Sequence, residues 1–318
     1  MKEFILNANE SGQRFDKYLK KLLPNAKASF LYKMLRKKNI TLNGKKASGN
    51  EKLKDADHVC LYFSDETFLK FTQDKNALKE EYEALQKLGQ RPLPVVYEDS
   101  DILIVNKPYN LLSQKAKPQD VSANEYILGY LIKEGALPFE MFETFRPSVT
   151  NRLDRNTTGL LTAGKSLKGL QEMSKLLETR EVKKFYRCIV AGSVKCGASL
   201  KGYLSKNEKT NQVQIKDTKS DGAVYIETEY MPVAKKNHAT LLEVHLITGK
   251  THQIRAHLAS IGHPVIGDLK YGNEAVNKEY YEAYHVKHQL LHAYRLEFPD
   301  GRIITAEPPA VFGKIMNS

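Results

Sequence analysis

Asp154 stands between two arginines, in the stretch Asn151-Arg152-Leu153-Asp154-Arg155-Asn156-Thr157-Thr158-Gly159-Leu160-Leu161. Flanking cations favour the ionised form of a carboxylic acid. An ionised aspartate is a candidate nucleophile or base, and arginines beside it can hold phosphates. The same residues also suit a structural ion-pair network, so their meaning depends on the rest of the chain. Two other segments carry candidate chemistry. Lys183-Lys184-Phe185-Tyr186-Arg187-Cys188-Ile189-Val190 reads as a strand that displays an aromatic, and Thr248-Gly249-Lys250-Thr251-His252-Gln253-Ile254-Arg255 places a second arginine among polar residues.

The elements that must position these residues fall into two parts. In the first, Phe15, Tyr18, Leu19, Leu22 and Leu23 recur at helical spacing, which predicts an amphipathic helix over 13–23, stopped by Pro24. Ser29 is a candidate N-cap for a second helix over 30–38, ending in Arg36-Lys37-Lys38. Ile40-Thr41-Leu42, then Asn43-Gly44, then Lys45-Lys46 reads as a hairpin, since Asn-Gly suits a tight turn between strands. Val59 to Phe63 reads as a closing strand. Residues 1–60 hold 14 Lys and Arg against 6 Asp and Glu, a net of +8 out of +12 for all 318 residues. Such clustering points to a polyanionic partner. Residues 64–91 are polar and read as a linker with a helix near 76–88. In the second part, strand patterning resumes at Val95, with Glu98-Asp99-Ser100-Asp101 as a hairpin turn. Strands and turns dominate to residue 306, with helices near 121–134 and 166–178.

Four segments in the second part carry a family resemblance. They are Val105-Asn106-Lys107-Pro108 just past a strand, the Asp154 stretch, the Tyr186 strand, and Leu246 to Leu258 with Gly262-His263-Pro264-Val265-Ile266-Gly267-Asp268 after it. Over roughly residues 93–310, in order and spacing, the chain resembles the RluA family of pseudouridine synthases. Residues 12–63, with Arg14-Phe15-Asp16-Lys17-Tyr18-Leu19 and Lys37-Lys38-Asn39-Ile40-Thr41-Leu42-Asn43-Gly44-Lys45-Lys46, resemble an S4 RNA-binding domain. The resemblance implies an α+β fold: a catalytic core on a mixed, mostly antiparallel sheet at 92–318, a linker at 64–91, and a small N-terminal S4 domain at 12–63.

It also implies roles. Asp154 matches the catalytic aspartate, Tyr186 the tyrosine that stacks on the target base, and Arg255 the arginine paired with the aspartate, the three lining one cleft. Arg152 matches a residue that fills the space of an extruded nucleotide, and Leu291 an apolar residue of the pocket. Arg36, Lys37, Lys38, Lys45 and Lys46 would meet RNA phosphates, which are bridged without reading sequence. Residues in the sequence leave open whether the carboxylate attacks the sugar, attacks the base or removes a sugar proton. Asn151 stands where the family commonly has His, Lys250 where it has Arg, and Thr158 where it has Ser.

Other classes fit less well. Gly159 to Ser166 matches the spacing of a phosphate-binding loop, yet Leu160-Leu161-Thr162-Ala163 inside it reads as a strand, and polar residues precede it. Six of nine histidines lie between 252 and 292, but only His288 and His292 have the i, i+4 spacing of a helical metal site, without an acidic partner. Three cysteines without paired spacing argue against a disulfide framework. No apolar run suggests a signal peptide or a membrane span. The expectation is therefore a cytoplasmic enzyme, by default a monomer. It would need no cofactor or metal and act on RNA, with 23S ribosomal RNA or a pre-ribosomal particle as the family-based target. A tRNA synthase, a non-catalytic RNA-binding or assembly factor, and a nucleotide hydrolase are the competing readings.

Overall fold

The computed structural model describes residues 1–207, 212–219 and 221–317. The N-terminal unit comprises β1 (Lys2–Ile5), α1 (Phe15–Leu22), α2 (Ala28–Arg36), β2 (Ile40–Leu42), β3 (Lys45–Lys46) and β4 (His58–Leu61). Its sheet runs β1-β4-β2-β3. The helical spacing in α1 places Phe15, Tyr18 and Leu19 in a core with Leu31, Leu35 and Val59. Asn43 and Gly44 both take positive φ, 51° and 71°, the conformation that a two-residue hairpin requires. Ser29 is not the cap expected: α2 begins at Ala28 and Lys27 takes the cap position. Strand β1 also went unread, because its four residues gain strand character only by pairing with β4.

Residues 64–91 hold two helices, α3 (Asp65–Phe71) and α4 (Lys75–Leu88). Phe68 and Phe71 of α3 pack on the N-terminal core. Leu78 and Leu85 of α4 are buried in the main core instead. There α4 meets α5 (Ala123–Lys133) so closely that a methyl group on Gly129 would lie 2.3 Å from the Leu85 carbonyl oxygen. The stretch that reads as a linker is thus packed on both sides.

The rest of the chain adds β5 (Val95–Glu98), β6 (Ile102–Lys107), α6 (Phe139–Thr144), β7 (Ser148–Val149), β8 (Thr158–Gly164), α7 (Leu167–Glu178), β9 (Lys183–Ala191), β10 (Ala198–Asn207) and β11 (Gln212–Lys216). It continues with β12 (Val224–Lys236), β13 (Ala239–Leu246), α8 (Gln253–Ser260), α9 (Glu274–Tyr284), β14 (Leu291–Glu297), β15 (Ile303–Thr305) and α10 (Ala310–Asn317). Among the described residues, one sheet runs β11-β10-β12-β13-β9-β14-β8-β6-β5, with β15 on β14 and β7 on β8. Its strand pairs are antiparallel except β8 with β14, so the sheet is mixed and mostly antiparallel, as expected.

Helices α6, α8 and α9 interrupt the stretch to residue 306 that reads as strands and turns, and α10 follows it. The first two, of six and eight residues, are too short for a clear apolar period. Asn106 and Lys107 lie inside β6 rather than beyond it. Every residue of β8 is buried, so the stretch resembling a phosphate loop is a core strand. No helix among the described residues is long and apolar enough to cross a membrane.

Candidate active site

Asp154 sits on the short loop between β7 and β8, and each neighbour in that loop is tied down separately. The Asn151 carboxamide oxygen accepts hydrogen bonds from the Thr162 amide (2.9 Å) and hydroxyl (3.1 Å), fastening the loop start to β8. Leu153 is buried, and the Ser113 hydroxyl both accepts from its amide and donates to its carbonyl, each at 2.9 Å. The Arg155 carbonyl accepts from the Leu111 amide and from Lys107 Nζ. A turn closes as the Thr157 amide donates to the Asp154 carbonyl. Asn151, in place of the usual His, therefore anchors the loop to the sheet.

Lys107 is fully buried. Its Nζ donates to the carbonyls of Pro108 (2.9 Å), Leu111 (2.8 Å) and Arg155 (3.1 Å). Burial pushes this amine down to about 7, while the nearby Asp154 charge acts the other way. Three carbonyl acceptors call for three N–H donors, so the arrangement suits the ammonium form. The first residues of α5 hold the adjoining segments. The Ala123 and Asn124 amides bond the Leu112 and Ser113 carbonyls, and the Asn124 side chain accepts from the Val149 amide.

Arg255 reaches Asp154 from α8. Gln253 sets the start of that helix: its amide group bonds Thr248 and the Lys250 amide on one side, and Thr228 and the Glu227 carbonyl of β12 on the other. The Arg255 guanidinium donates through Nε (2.7 Å) and Nη2 (2.8 Å) to the two oxygens of Asp268. Its Nη1 donates to Asp154 Oδ2 at 2.9 Å. Side-chain exposure falls from 25% at Asp154 to 8% at Arg255 and 0% at Asp268, so the reachable carboxylate is Asp154 and the buried one is its anchor. Burial alone would lower the Arg255 pKa, but hydrogen bonds and charge from Asp268, then Asp154, raise it. Burial would raise that of Asp268, yet Arg255 and the amides of Lys270 and Tyr271 hold it down. His252, at φ 55°, places Nε2 3.9 Å from Asp154 Oδ2 and Nδ1 3.0 Å from the Tyr271 hydroxyl. Burial is the main cause that lowers its pKa.

Tyr186 lies on β9 opposite Val244 and Ala293 of the flanking strands. Burial, then the Asp154 charge, pushes its phenol upward, which keeps it neutral. Leu291 opposes Cys188, two residues along from Tyr186, so side-chain alternation places it on the same face. Arg152 is exposed beside the buried Leu153. Arg36, Lys37, Lys38, Lys45 and Lys46 are all exposed on the N-terminal unit, where Arg36 and Lys46 line one groove with Tyr32.

Asp268, Ser113 and Lys107 do the anchoring; Lys107 and Asp268 stood in matched segments, but none of the three was given a role from the sequence. The Gly267-Asp268 pair in a matched segment was the available signal, but its partner lies 13 residues away across a turn. His292, one of the two helically spaced histidines, sits on β14 with Nδ1 against Thr158 Oγ1 (2.7 Å) and Nε2 against the Ala306 carbonyl (2.8 Å). Both ring nitrogens thus face protein partners. Among the described residues, the one His/Cys/Asp/Glu group close enough to share an ion is Glu3, His58 and Cys60 in the N-terminal sheet.

The chain is similar to known proteins over most of its length. The family model described as RNA pseudouridylate synthase matches residues 101–260, which contain Asp154, Tyr186 and Arg255. The chain is 31% identical over 284 residues to the ribosomal large subunit pseudouridine synthase C of Rickettsia typhi, covering 88% of this chain and 87% of that protein. It is 29% identical over 307 residues to an uncharacterized RNA pseudouridine synthase of Mycoplasma genitalium, covering 93% and 89%. In fold it is similar to human RNA Pseudouridylate Synthase Domain Containing 4, with a TM-score of 0.58 at 19% identity over 75% of this chain and 96% of that one. The chain belongs to the RNA pseudouridylate synthase family, RluA type, and is an enzyme that isomerises uridine in RNA.

Proposed function

We propose that Asp154 is the carboxylate that carries out the isomerisation, Arg255 its partner, and Tyr186 the face on which the uracil rests. The observation that carries this is the fork of Arg255. Two of its donors are occupied by the fully buried Asp268, and the third is directed at a partly exposed Asp154. Oδ2 of Asp154 is then held, and Oδ1 is presented to the substrate. Isomerisation breaks the N1–C1′ bond, turns the base, and joins C5 to C1′; the C5 hydrogen leaves as a proton and N1 gains one. A fixed, ionised carboxylate can attack the sugar, attack the base or take the sugar proton that starts this sequence. Tyr186, kept neutral, serves by its ring face rather than as a base.

A uridine within a helix must be extruded to reach such a site, at a cost of a few kcal/mol. In this reading Arg152, exposed two residues before Asp154, fills the gap it leaves, and Leu291 lines the pocket beside Tyr186. The N-terminal unit, residues 12–63, serves as an S4-type RNA-binding module through Arg36, Lys37, Lys38, Lys45 and Lys46, with 92–318 as the catalytic part. The relative named for the ribosomal large subunit makes 23S ribosomal RNA the target of choice.

The test uses 23S RNA transcripts with tritium at C5 of uridine. Wild type should release label to water in EDTA without ATP, and Asp154→Ala should not. Release from both proteins would remove Asp154 from the chemistry. Release only from tRNA transcripts would move the target.

A further inference from the structure

The rim of the site carries an aromatic pair that the chemistry above leaves unused. Tyr109 is 57% exposed, in the segment directly after β6. Its ring packs on the His288 ring, with centroids 5.2 Å apart and planes at 40°. The two rings come from distant segments, and each segment is bonded to the loop that presents Asp154. On one side, the carbonyls of Pro108 and Leu111 are gripped by Lys107 Nζ, which also holds the Arg155 carbonyl. On the other, Gln289 next to His288 donates to Thr157 Oγ1 at 3.4 Å. The His288 carbonyl presses on Gly267, where a methyl group would lie 2.3 Å away, and Gly267 precedes the Asp268 anchor. The segments that carry the two rings are therefore each fastened to the loop of Asp154.

Two details point to a ligand. Nδ1 of His288 is buried without a hydrogen-bond partner. Lys287, next to His288 in the chain, and Arg155, whose carbonyl shares Lys107 Nζ with those of Pro108 and Leu111, are both exposed. We propose that Tyr109 and His288 form a stacking shelf for one unpaired RNA base next to the extruded uridine, with Arg155 on the adjoining phosphate. Extrusion unstacks the neighbours of the target base, and an exposed aromatic face receives a base whatever its identity. This rests on the reading of Asp154 as the centre of the site.

The probe is a nine-nucleotide oligouridylate with 2-aminopurine at its centre, added to the full-length protein. Wild type and Tyr109→Phe should bind alike and quench the fluorophore by stacking. Tyr109→Ala should bind about 10-fold more weakly, as loss of one base stack implies, with the quench relieved. His288→Ala should act in the same direction. Binding by both alanine variants within about twofold of wild type, with the quench intact, would overturn the shelf. So would a Tyr109→Phe variant as weak as Tyr109→Ala, because the hydroxyl rather than the ring would then matter. Asp154→Ala should keep the quench while losing tritium release, so the failure of one reading is visible apart from the other.

Discussion

At the scale of the residue, the site is one reachable carboxylate fastened through an arginine to one that is not. Asp268→Asn keeps the shape of the anchor and removes its charge. Breaking a buried ion pair on one side costs ~3–5 kcal/mol, and thermal melts should show a loss of that order. The rate of tritium release should fall by about 100-fold, since a misplaced Asp154 forfeits its orientation. An unchanged rate in a folded variant would mean that Arg255 does not need Asp268 to serve Asp154. The ring of Tyr186 gives a second prediction. Tyr186→Phe should keep release within about tenfold of wild type, and Tyr186→Ala should raise KM by at least about tenfold through weaker stacking. A phenylalanine variant as inactive as the alanine one would make the hydroxyl a participant. The sequence showed Asp154, Tyr186 and Arg255 by type and motif. It did not show Asp268 as the anchor, because a buried ion pair is visible only once burial is known.

At the scale of the element, the loop before β8 works because β8 and β14 run parallel and almost touch. Gly159 takes φ 109°, and a methyl group there would lie 2.2 Å from the Ala293 carbonyl oxygen. Gly159→Ala should therefore cost at least ~2 kcal/mol in chemical unfolding, from backbone strain and forced separation together. Stability equal to wild type would mean that the two strands part easily. The same close approach also explains what could and could not be read in advance. The strand character of 160–163 was legible from its apolar run, and so were the turns at Asn43-Gly44 and Glu98–Asp101, because these depend on local residue types. The short helix α8 was not, because Gln253 sets its start by bonding β12, 25 residues earlier in the chain. The cap of α2 fell two residues before Ser29 for a similar reason: packing of Leu31 and Leu35 set the helix, with no side-chain cap.

At the scale of the whole molecule, a basic N-terminal unit and a core with buried neutral histidines set the response to salt and acid. If Arg36, Lys37, Lys38, Lys45 and Lys46 meet phosphates, replacing Arg36 and Lys46 with alanine should weaken RNA binding at low salt. It should also lower the slope of log affinity against log salt by roughly 0.7–0.9 for each phosphate left without its cation. A slope equal to wild type would place the RNA-binding surface elsewhere. Acid should act through His292, which is fully buried and pushed down to about 4 by burial, against an ordinary value of 6.5. The unfolded chain then binds more protons than the folded one between those values, so stability falls as pH drops through 6.5 toward 4. Linkage puts the loss from this one residue at about 2 kcal/mol by pH 5. Urea unfolding at pH 7.5 and pH 5 checks it, and equal midpoints would show that His292 titrates normally.

Residue types and their spacing were enough to mark the basic N-terminal unit and the main strands, and matched motifs were enough to suggest the family and the three side chains proposed for the reaction. Each of these depends on local composition, on period, or on motifs that stay linear in the chain. Tertiary structure alone decided that Asp268 holds Arg255, that Lys107 and Ser113 clamp the loop of Asp154, and that Tyr109 meets His288 at its rim. It also decided that α4 belongs to the main core. Those pairings join residues 13 to 179 positions apart; the polar ones exist because burial leaves such groups no partner but each other, and the others come from apolar and ring packing between distant segments.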